Sequence, residues 1–229
     1  AYRQESCKPI FVFSDADSAS GGKVKSRIFN GVGWDDETDA VNVGAAGAAG
    51  DGAENVEYLV LKPNTTDQVM LIALDSGNDV TAKRFDGTWN THKDVDGGAR
   101  GIINHYADVC WEINTDHKGH CLLVFGDAAD TDASYFNGSA WTAKAGIFAD
   151  ESNFVRVERV EDKNLWIGGY ENTNKKINSA YWDPVNHSTI TANYFHPDYH
   201  SQNLTDGHFD ISPRAYTVTP VDTGPPGGI

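Results

Sequence analysis

The segment Phe136-Asn137-Gly138-Ser139-Ala140-Trp141 consists of an aromatic residue, a short polar turn and then a tryptophan. Earlier in the chain the same order appears as Phe29-Asn30-Gly31-Val32-Gly33-Trp34 and as Phe85-Asp86-Gly87-Thr88-Trp89, and a degraded later copy reads Trp182-Asp183-Pro184-Val185-Asn186. The first aromatic residues of successive copies are 56, 51 and 46 residues apart. Spacing of this size is typical of a repeated supersecondary unit, so the chain is predicted to be a repeat protein.

Each copy is flanked by further strand-like segments. A run of apolar residues ending in a polar turn lies upstream of the motif, at residues 10–15, 69–75, 121–127 and 165–171. Short apolar runs between turn residues predict strands that are buried on both faces. An alternating segment precedes three of these runs, at residues 56–61, 109–113 and 154–159. The Asn-Gly and Asp-Gly pairs favour tight hairpins. A complete unit therefore has four antiparallel strands, which is the composition of a propeller blade.

The predicted fold is an all-β, β-propeller-like domain of about four blades over residues 1–219, with residues 220–229 as a tail or linker. The first unit lacks its leading strand, because the chain starts only nine residues before Ile10. A strand within residues 209–219 is predicted to take that place, since an unpaired strand edge is an aggregation hazard. This pairing is formed within one molecule or between neighbouring molecules, and the sequence leaves both arrangements open.

The charge balance and the absence of long apolar runs restrict the location and the partners. The chain has 18 basic and 33 acidic residues, a net charge of −15, which disfavours binding to nucleic acid or to anionic membranes. No run of 18 apolar residues is present, so direct membrane insertion is not expected. Ala1 suits a mature N-terminus left by signal-peptide cleavage. We expect an extracellular or cell-surface protein.

The repeated motif resembles the β-propeller repeats of uncharacterised secreted or surface proteins of environmental microbes, some of which are attached to pilin-like segments. The resemblance covers about residues 10–219. It implies the fold and a surface location, and it provides no catalytic residues to carry over. The motif also resembles the Asp-box turn of sialidases, although no copy has the complete Ser-x-Asp-x-Gly-x-Thr-Trp order.

Two covalent modifications are predicted. Cys110 and Cys121 lie on consecutive predicted strands around a short polar turn, so a cross-strand disulfide between them is expected. The alternative is that both are buried free thiols. Cys7 has no partner in this pairing. Four Asn-x-Ser/Thr sequons are candidate glycosylation sites, and two of them fall in predicted hairpin turns: Asn64, Asn137, Asn186 and Asn203.

Oxygen-rich turns and clustered histidines raise the question of metal binding. The turn after the third apolar run carries Asp127, Asp130 and Asp132, and clustered carboxylates are typical calcium ligands. Asp and Asn are also ordinary turn formers, which is the competing interpretation. Histidines occur in one predicted hairpin and near the C terminus, without the spacing of a zinc site, so they are interpreted as solvated loop residues: His117, His120, His196, His200 and His208.

The tryptophans of the repeat have a structural and a functional interpretation. The regular position of Trp34, Trp89, Trp141 and Trp182 favours packing between neighbouring blades. The alternative is that exposed aromatic rings stack on sugars, as in propeller lectins. Packing is preferred, because the same role at each repeat position explains the periodicity.

No catalytic motif stands out in the chain. A nucleophile motif, a defined carboxylate pair and a Gly-rich phosphate loop are not recognisable. We therefore predict a non-enzymatic structural or filament-forming protein of the cell surface, which binds copies of itself or other surface proteins. The alternatives are a carbohydrate-binding propeller lectin and a glycan-active propeller hydrolase. No cofactor other than calcium is expected.

Overall fold

The structure is a computed structural model, which describes residues 8–15, 23–42, 56–76, 79–95, 106–112, 119–126, 130–160, 165–171 and 176–195. These residues form fifteen strands, with bounds β1 Ile10–Asp15, β2 Lys23–Ile28, β3 Thr38–Asn42, β4 Val56–Pro63, β5 Val69–Asp75, β6 Val80–Phe85, β7 Trp89–Val95, β8 Ala107–Trp111, β9 Cys121–Gly126, β10 Thr131–Phe136, β11 Trp141–Phe148, β12 Phe154–Arg159, β13 Leu165–Glu171, β14 Lys176–Asp183 and β15 Ser188–Phe195. The described part contains no helix that is long and apolar enough to cross a membrane.

The strands pair into four antiparallel sheets that follow the chain order. Blade 1 consists of β1–β3, blade 2 of β4–β7, blade 3 of β8–β11 and blade 4 of β12–β15, and each strand pairs with its sequence neighbours. This is the predicted all-β, β-propeller-like architecture, and the prediction is confirmed. Blade 1 has three strands in the described residues, and β1 corresponds to the second strand of the other blades.

No leading strand of blade 1 lies among the described residues. The segment predicted to take that place, residues 209–219, lies outside them, as do the predicted tail at residues 220–229 and Cys7. How the first blade is completed thus remains a prediction.

The apolar runs form the second strand of each complete blade, because their side chains find apolar neighbours on both faces of the sheet. Along β5, Met70 and Ile72 pack against blade 3, whereas Leu71 and Ala73 pack against blade 1. β9 and β13 are likewise buried along their whole length. Full burial of one such aliphatic side chain stabilises a fold by roughly 1.5–3 kcal/mol. Continuous hydrophobicity in sequence thus reflects a strand between two neighbouring blades.

The aromatic residue and the tryptophan of the repeated motif form the last pair of a hairpin. Phe85 pairs with Trp89, and Phe136 pairs with Trp141. Only the glycine of each turn has a positive φ, for example +89° at Gly138, and the preceding Asn137 uses its Oδ1 to accept from backbone N–H groups. The loops are therefore three- or four-residue turns and not the two-residue hairpins that Asn-Gly suggested.

The leading strands of blades 2, 3 and 4 lie next to one another and are joined by polar contacts. Lys62 of β4 reaches Asp108 of β8 at 3.5 Å and Glu158 of β12 at 3.3 Å. Asp108 Oδ2 also accepts a 3.0 Å hydrogen bond from the backbone N–H of Val157. Because Asp108 is fully buried, these partners compensate for the loss of water around its carboxylate.

The predicted Cys110–Cys121 disulfide is wrong. The register of β8 and β9 pairs Trp111 with Cys121 and Cys110 with Leu122, one residue away from a direct cysteine pair. Successive side chains of a strand point to opposite faces, so Cys110 lies in the core with blade 4 and Cys121 in the core with blade 2. Both are buried free thiols, which was the alternative interpretation.

Candidate functional site

The outer face of blade 1 carries a group of aromatic side chains. Alternation along β1 directs Ile10 into the core and Phe11 outward, so that Phe11 is 57% exposed. Trp34 follows the hairpin turn between β2 and β3, and it is 50% exposed. Together with Phe13, Arg27 and Glu37 these residues line an open pocket of about 510 Å³, which we call the aromatic pocket.

The rings of the aromatic pocket support one another. Phe11 stacks on Phe13 with a centroid distance of 5.7 Å, and it meets Trp34 edge-on at 6.5 Å. Phe29, at the start of the hairpin turn, holds Trp34 from the other side at 5.6 Å. Such contacts contribute about 0.5–1.5 kcal/mol per pair beyond buried area. The rings are therefore held in place while much of their surface faces water.

Charged side chains border the apolar floor of the pocket. Arg27 Nη2 lies 3.4 Å from Glu37 Oε2, and Lys25 Nζ lies 3.7 Å from Glu37 Oε1. Lys25 also pairs with Asp39. An apolar surface with a few oriented donors and acceptors is the usual composition of a small-molecule site.

The other motif tryptophans are packed as predicted, each against the preceding blade. Trp89 is half-buried, and its Nε1 donates to Ser26 Oγ of blade 1 at 2.8 Å. Trp141 is half-buried against the core between blades 2 and 3. Trp182 is 1% exposed in the core between blades 3 and 4. The structural prediction is wrong for Trp34, because in the described residues no preceding blade covers this side of blade 1.

A second group of ionisable side chains lies between blades 3 and 4. Glu112 directly follows β8, His120 directly precedes β9, and His187 lies in the turn from β14 to β15. Each of these residues offers a donor atom, and the three atoms lie within 4.8 Å of one another. We call this group the histidine cluster. It is the only such group of three or more His, Cys, Asp or Glu residues in the part of the chain that the structure describes.

The surroundings of the histidine cluster fix its orientation. Trp182 Nε1 donates to Glu112 Oε1 at 3.1 Å, and the other carboxylate oxygen lies 3.8 Å from His120 Nδ1. The same Nδ1 forms a short hydrogen bond with the Tyr135 hydroxyl. The Tyr135 ring lies 4.1 Å from the ring of His187.

Burial dominates the electrostatics of this group. The side chain of Glu112 is inaccessible to water, and burial raises its carboxyl pKa to about 7, although hydrogen bonds from Trp182 and Tyr135 oppose the shift. Burial also raises the pKa of the Tyr135 hydroxyl, and the nearby Glu112 charge adds to the effect. The sequence interpretation of His120 as a solvated loop residue is therefore wrong. No sequence pattern predicted that His120 lies beside Glu112 and His187, since blades 3 and 4 meet only in the folded chain.

The predicted calcium site cannot be assembled from the described residues. Asp127 lies outside them, while Asp130 and Asp132 are half-buried. Asp132 Oδ1 accepts a 2.7 Å hydrogen bond from the backbone N–H of Gly146, where the pairing of β10 with β11 is irregular. This is the turn-forming role that competes with metal binding. Calcium binding there stays a prediction.

The sequons differ in accessibility. Asn137 and Asn186 are exposed in hairpin turns, as predicted. Asn64 is only 2% exposed, and its Oδ1 accepts from the backbone N–H of Thr65, so the prediction of a surface glycan at Asn64 is wrong. Asn203 lies outside the described residues.

No family model and no curated protein sequence matches the chain. Solved structures do. A Hadza microbial sialidase is 13% identical, with a TM-score of 0.49 over 89% of this chain and 46% of its own. An exo-β-1,3-galactanase from Phanerochaete chrysosporium is 10% identical (TM-score 0.46; 81% and 47% covered), and a lectin from Aleuria aurantia, solved with Fucα1-6GlcNAc, is 8% identical (TM-score 0.43; 81% and 57%). The chain thus spans about half the length of these proteins, and the likeness concerns the fold.

The prediction that this protein is not an enzyme is contradicted by these matches. The similar structures include a sialidase and a galactanase, which are enzymes, together with a lectin. The comparisons offer nothing specific to pilin-associated surface proteins.

Proposed function

We propose that this protein binds carbohydrate through the aromatic pocket of blade 1. The observation that carries the proposal is the exposure of Trp34 and Phe11 in one ordered aromatic cluster. A sugar ring has an apolar C–H face and polar edges. The aromatic rings can stack on the apolar C–H face. Arg27 and Glu37 at the border of the pocket can hydrogen-bond to the polar edges, because a guanidinium donates and a carboxylate accepts hydrogen bonds.

Exposed apolar clusters on a protein surface usually mark a binding site, and this one needs little rearrangement. Phe13 already contacts the exposed ring of Phe11, and Phe29 contacts that of Trp34. A ligand therefore meets a surface whose side chains have already lost much of their rotational freedom, which reduces the entropic cost of binding.

The test is a glycan array followed by titration calorimetry on the best ligand. We expect Trp34→Ala to weaken binding by about tenfold or more, taking as a guide the roughly 1–3 kcal/mol that one aromatic side chain contributes when a nucleobase stacks on it. The matched control is Val185→Ala, because Val185 is a similarly exposed apolar residue on blade 4. Unaltered affinity in the Trp34 variant, or no bound glycan on the array, would contradict the proposal. Mass analysis of the bound glycans shows whether binding is followed by cleavage.

A second candidate function is assembly, in which another copy of the chain covers blade 1. It is favoured by the position of Trp34, since its equivalents Trp89 and Trp141 pack against a preceding blade. It is also favoured by the place of β1 at the edge of the sheet that the described residues of blade 1 form. In this proposal residues 209–219 of a neighbour supply the missing strand. Light scattering over a hundredfold concentration range tests it: truncation after Pro197 should abolish oligomers, and a monomer throughout would exclude it.

We further propose that the protein acts outside the cell or at its surface. The net charge of −15 and the exposed sequons at Asn137 and Asn186 support this location. Expression in a glycosylating secretory host provides the test, with peptide mapping expected to find glycan at Asn137 and none at Asn64. Intracellular retention of the full-length protein in its native cell would contradict the proposal.

A further inference from the structure

We propose that Glu112, His120 and His187 form a binding site for a divalent transition-metal ion, with Zn²⁺ as the best match. Two imidazole nitrogens and one carboxylate oxygen are a ligand set that Zn²⁺ uses when it keeps a fourth position open. Calcium does not suit the set, because it takes six to eight oxygen ligands. The site is independent of the aromatic pocket, which lies on blade 1.

The geometry is close to that of a metal site. The donor atoms are within 4.8 Å of one another, and Glu112 Oε2 lies 3.8 Å from His120 Nδ1. Around a shared ion at about 2.0–2.1 Å, tetrahedral donors lie about 3.3 Å apart, so the donor atoms must approach one another by up to about 1.5 Å. His120 and His187 both lie at the ends of hairpins and are half-buried, so side-chain rotation can supply this movement.

The neighbouring residues act as supports for the proposed ligands. The Trp182 indole N–H holds Glu112 Oε1 and leaves the second carboxylate oxygen directed at His120. Tyr135 contacts both imidazoles, with its hydroxyl on His120 and its ring against His187. Trp182 is thus an outer partner of the kind that orients a ligand in many metal sites. An ion bound to His120 Nδ1 would take the place of the hydrogen bond with the Tyr135 hydroxyl, and it would connect blade 3 to blade 4.

His187 adopts the left-handed backbone conformation, which few residues other than glycine occupy. Its φ is +49°, which makes it the only residue other than glycine with a positive φ in the described residues. Asparagine adopts this region more readily than most residues, so His187→Asn removes the imidazole and retains the turn. Similarly, Glu112→Gln retains an oxygen that accepts from Trp182. The two variants therefore remove one ligand each with little change to packing.

The experiment uses full-length protein without a histidine tag, stripped with a chelator and titrated with Zn²⁺ and with Co²⁺. We expect one Zn²⁺ per chain, a rise in Tm, and the visible absorption of Co²⁺ with nitrogen and oxygen ligands. His187→Asn and Glu112→Gln should each weaken Zn²⁺ binding by more than about tenfold, because each removes one of three protein ligands. The control is His92→Asn, because His92 lies in β7 of blade 2.

Each outcome is decisive. Wild-type protein that takes up no stoichiometric Zn²⁺, or variants that bind Zn²⁺ as tightly as the control, would overturn the proposal. Circular dichroism of the stripped proteins shows whether the variants are folded. If one variant is not, the remaining variant and the wild-type stoichiometry still test the site.

Discussion

Replacement of Trp182 by alanine should destabilise the protein far more than the same replacement of Trp34, although both tryptophans belong to the repeated motif. Trp182 is 1% exposed, and a buried tryptophan removes up to about 250 Å² from water, or about 6 kcal/mol at 25 cal/mol per Å² as an upper limit. Measured Trp→Ala costs in cores are about 3–5 kcal/mol.

The hydrogen bond of Trp182 adds to this cost. Its indole N–H donates to the buried Glu112 carboxylate, and loss of a partner to a buried polar group costs about 1–3 kcal/mol. We therefore expect a loss of about 4–8 kcal/mol in the free energy of unfolding for Trp182→Ala. Trp34 leaves half its surface in water, so about 1–2 kcal/mol is expected for Trp34→Ala.

The assay is urea unfolding at 25 °C, followed by far-UV circular dichroism on the wild type and both variants. Trp182→Phe serves as the variant that keeps a ring but loses the N–H, and it should cost about 1–3 kcal/mol. Equal losses for the two alanine variants, or a larger loss for Trp34→Ala, would refute the assignment of Trp182 to the core and of Trp34 to the surface.

Two further predictions concern the packing of blade 3. Gly126→Ala should destabilise the fold by about 1–3 kcal/mol, since an added Cβ collides with the backbone of the β11–β12 connection. Gly33→Ala is the control, because a Cβ there meets open space and should leave stability unchanged. The denaturant midpoints of both variants test this prediction. Cys110 and Cys121 should resist alkylation at pH 8 until the protein unfolds. Both thiols are buried, and burial raises the pKa of Cys110 to about 12 and the pKa of Cys121 well above its usual value, so little thiolate is present. Rapid labelling of the native protein by iodoacetamide would contradict this prediction.

Local patterns in the chain were sufficient to predict the strands and their grouping. Apolar runs such as 69–75 are continuous because both faces of the strand are covered, and this environment can be recognised in a sequence. The recurrence of the Phe-turn-Trp motif predicted the hairpin ends.

The register with which neighbouring strands pair could not be predicted from the sequence. Cys110 and Cys121 were correctly placed on paired strands, yet a shift of one residue puts their side chains on opposite faces. Such a shift depends on how the connecting turn and the two adjoining cores pack together. It leaves the hydrophobic pattern of either strand unchanged, so no local signal reveals it.

The chain by itself determined the repeat and the all-β architecture, because these depend on short-range patterns of hydrophobicity and turn residues. Only the tertiary structure decided that Trp34 is exposed whereas its equivalent Trp89 packs against blade 1, since similar motifs differ in what lies next to their blade. It also brought Glu112 and His120 of blade 3 together with His187 of blade 4. Contacts of this kind arise where one blade packs on the next, and the sequence around one residue of such a contact does not indicate which residue of the other blade it will meet.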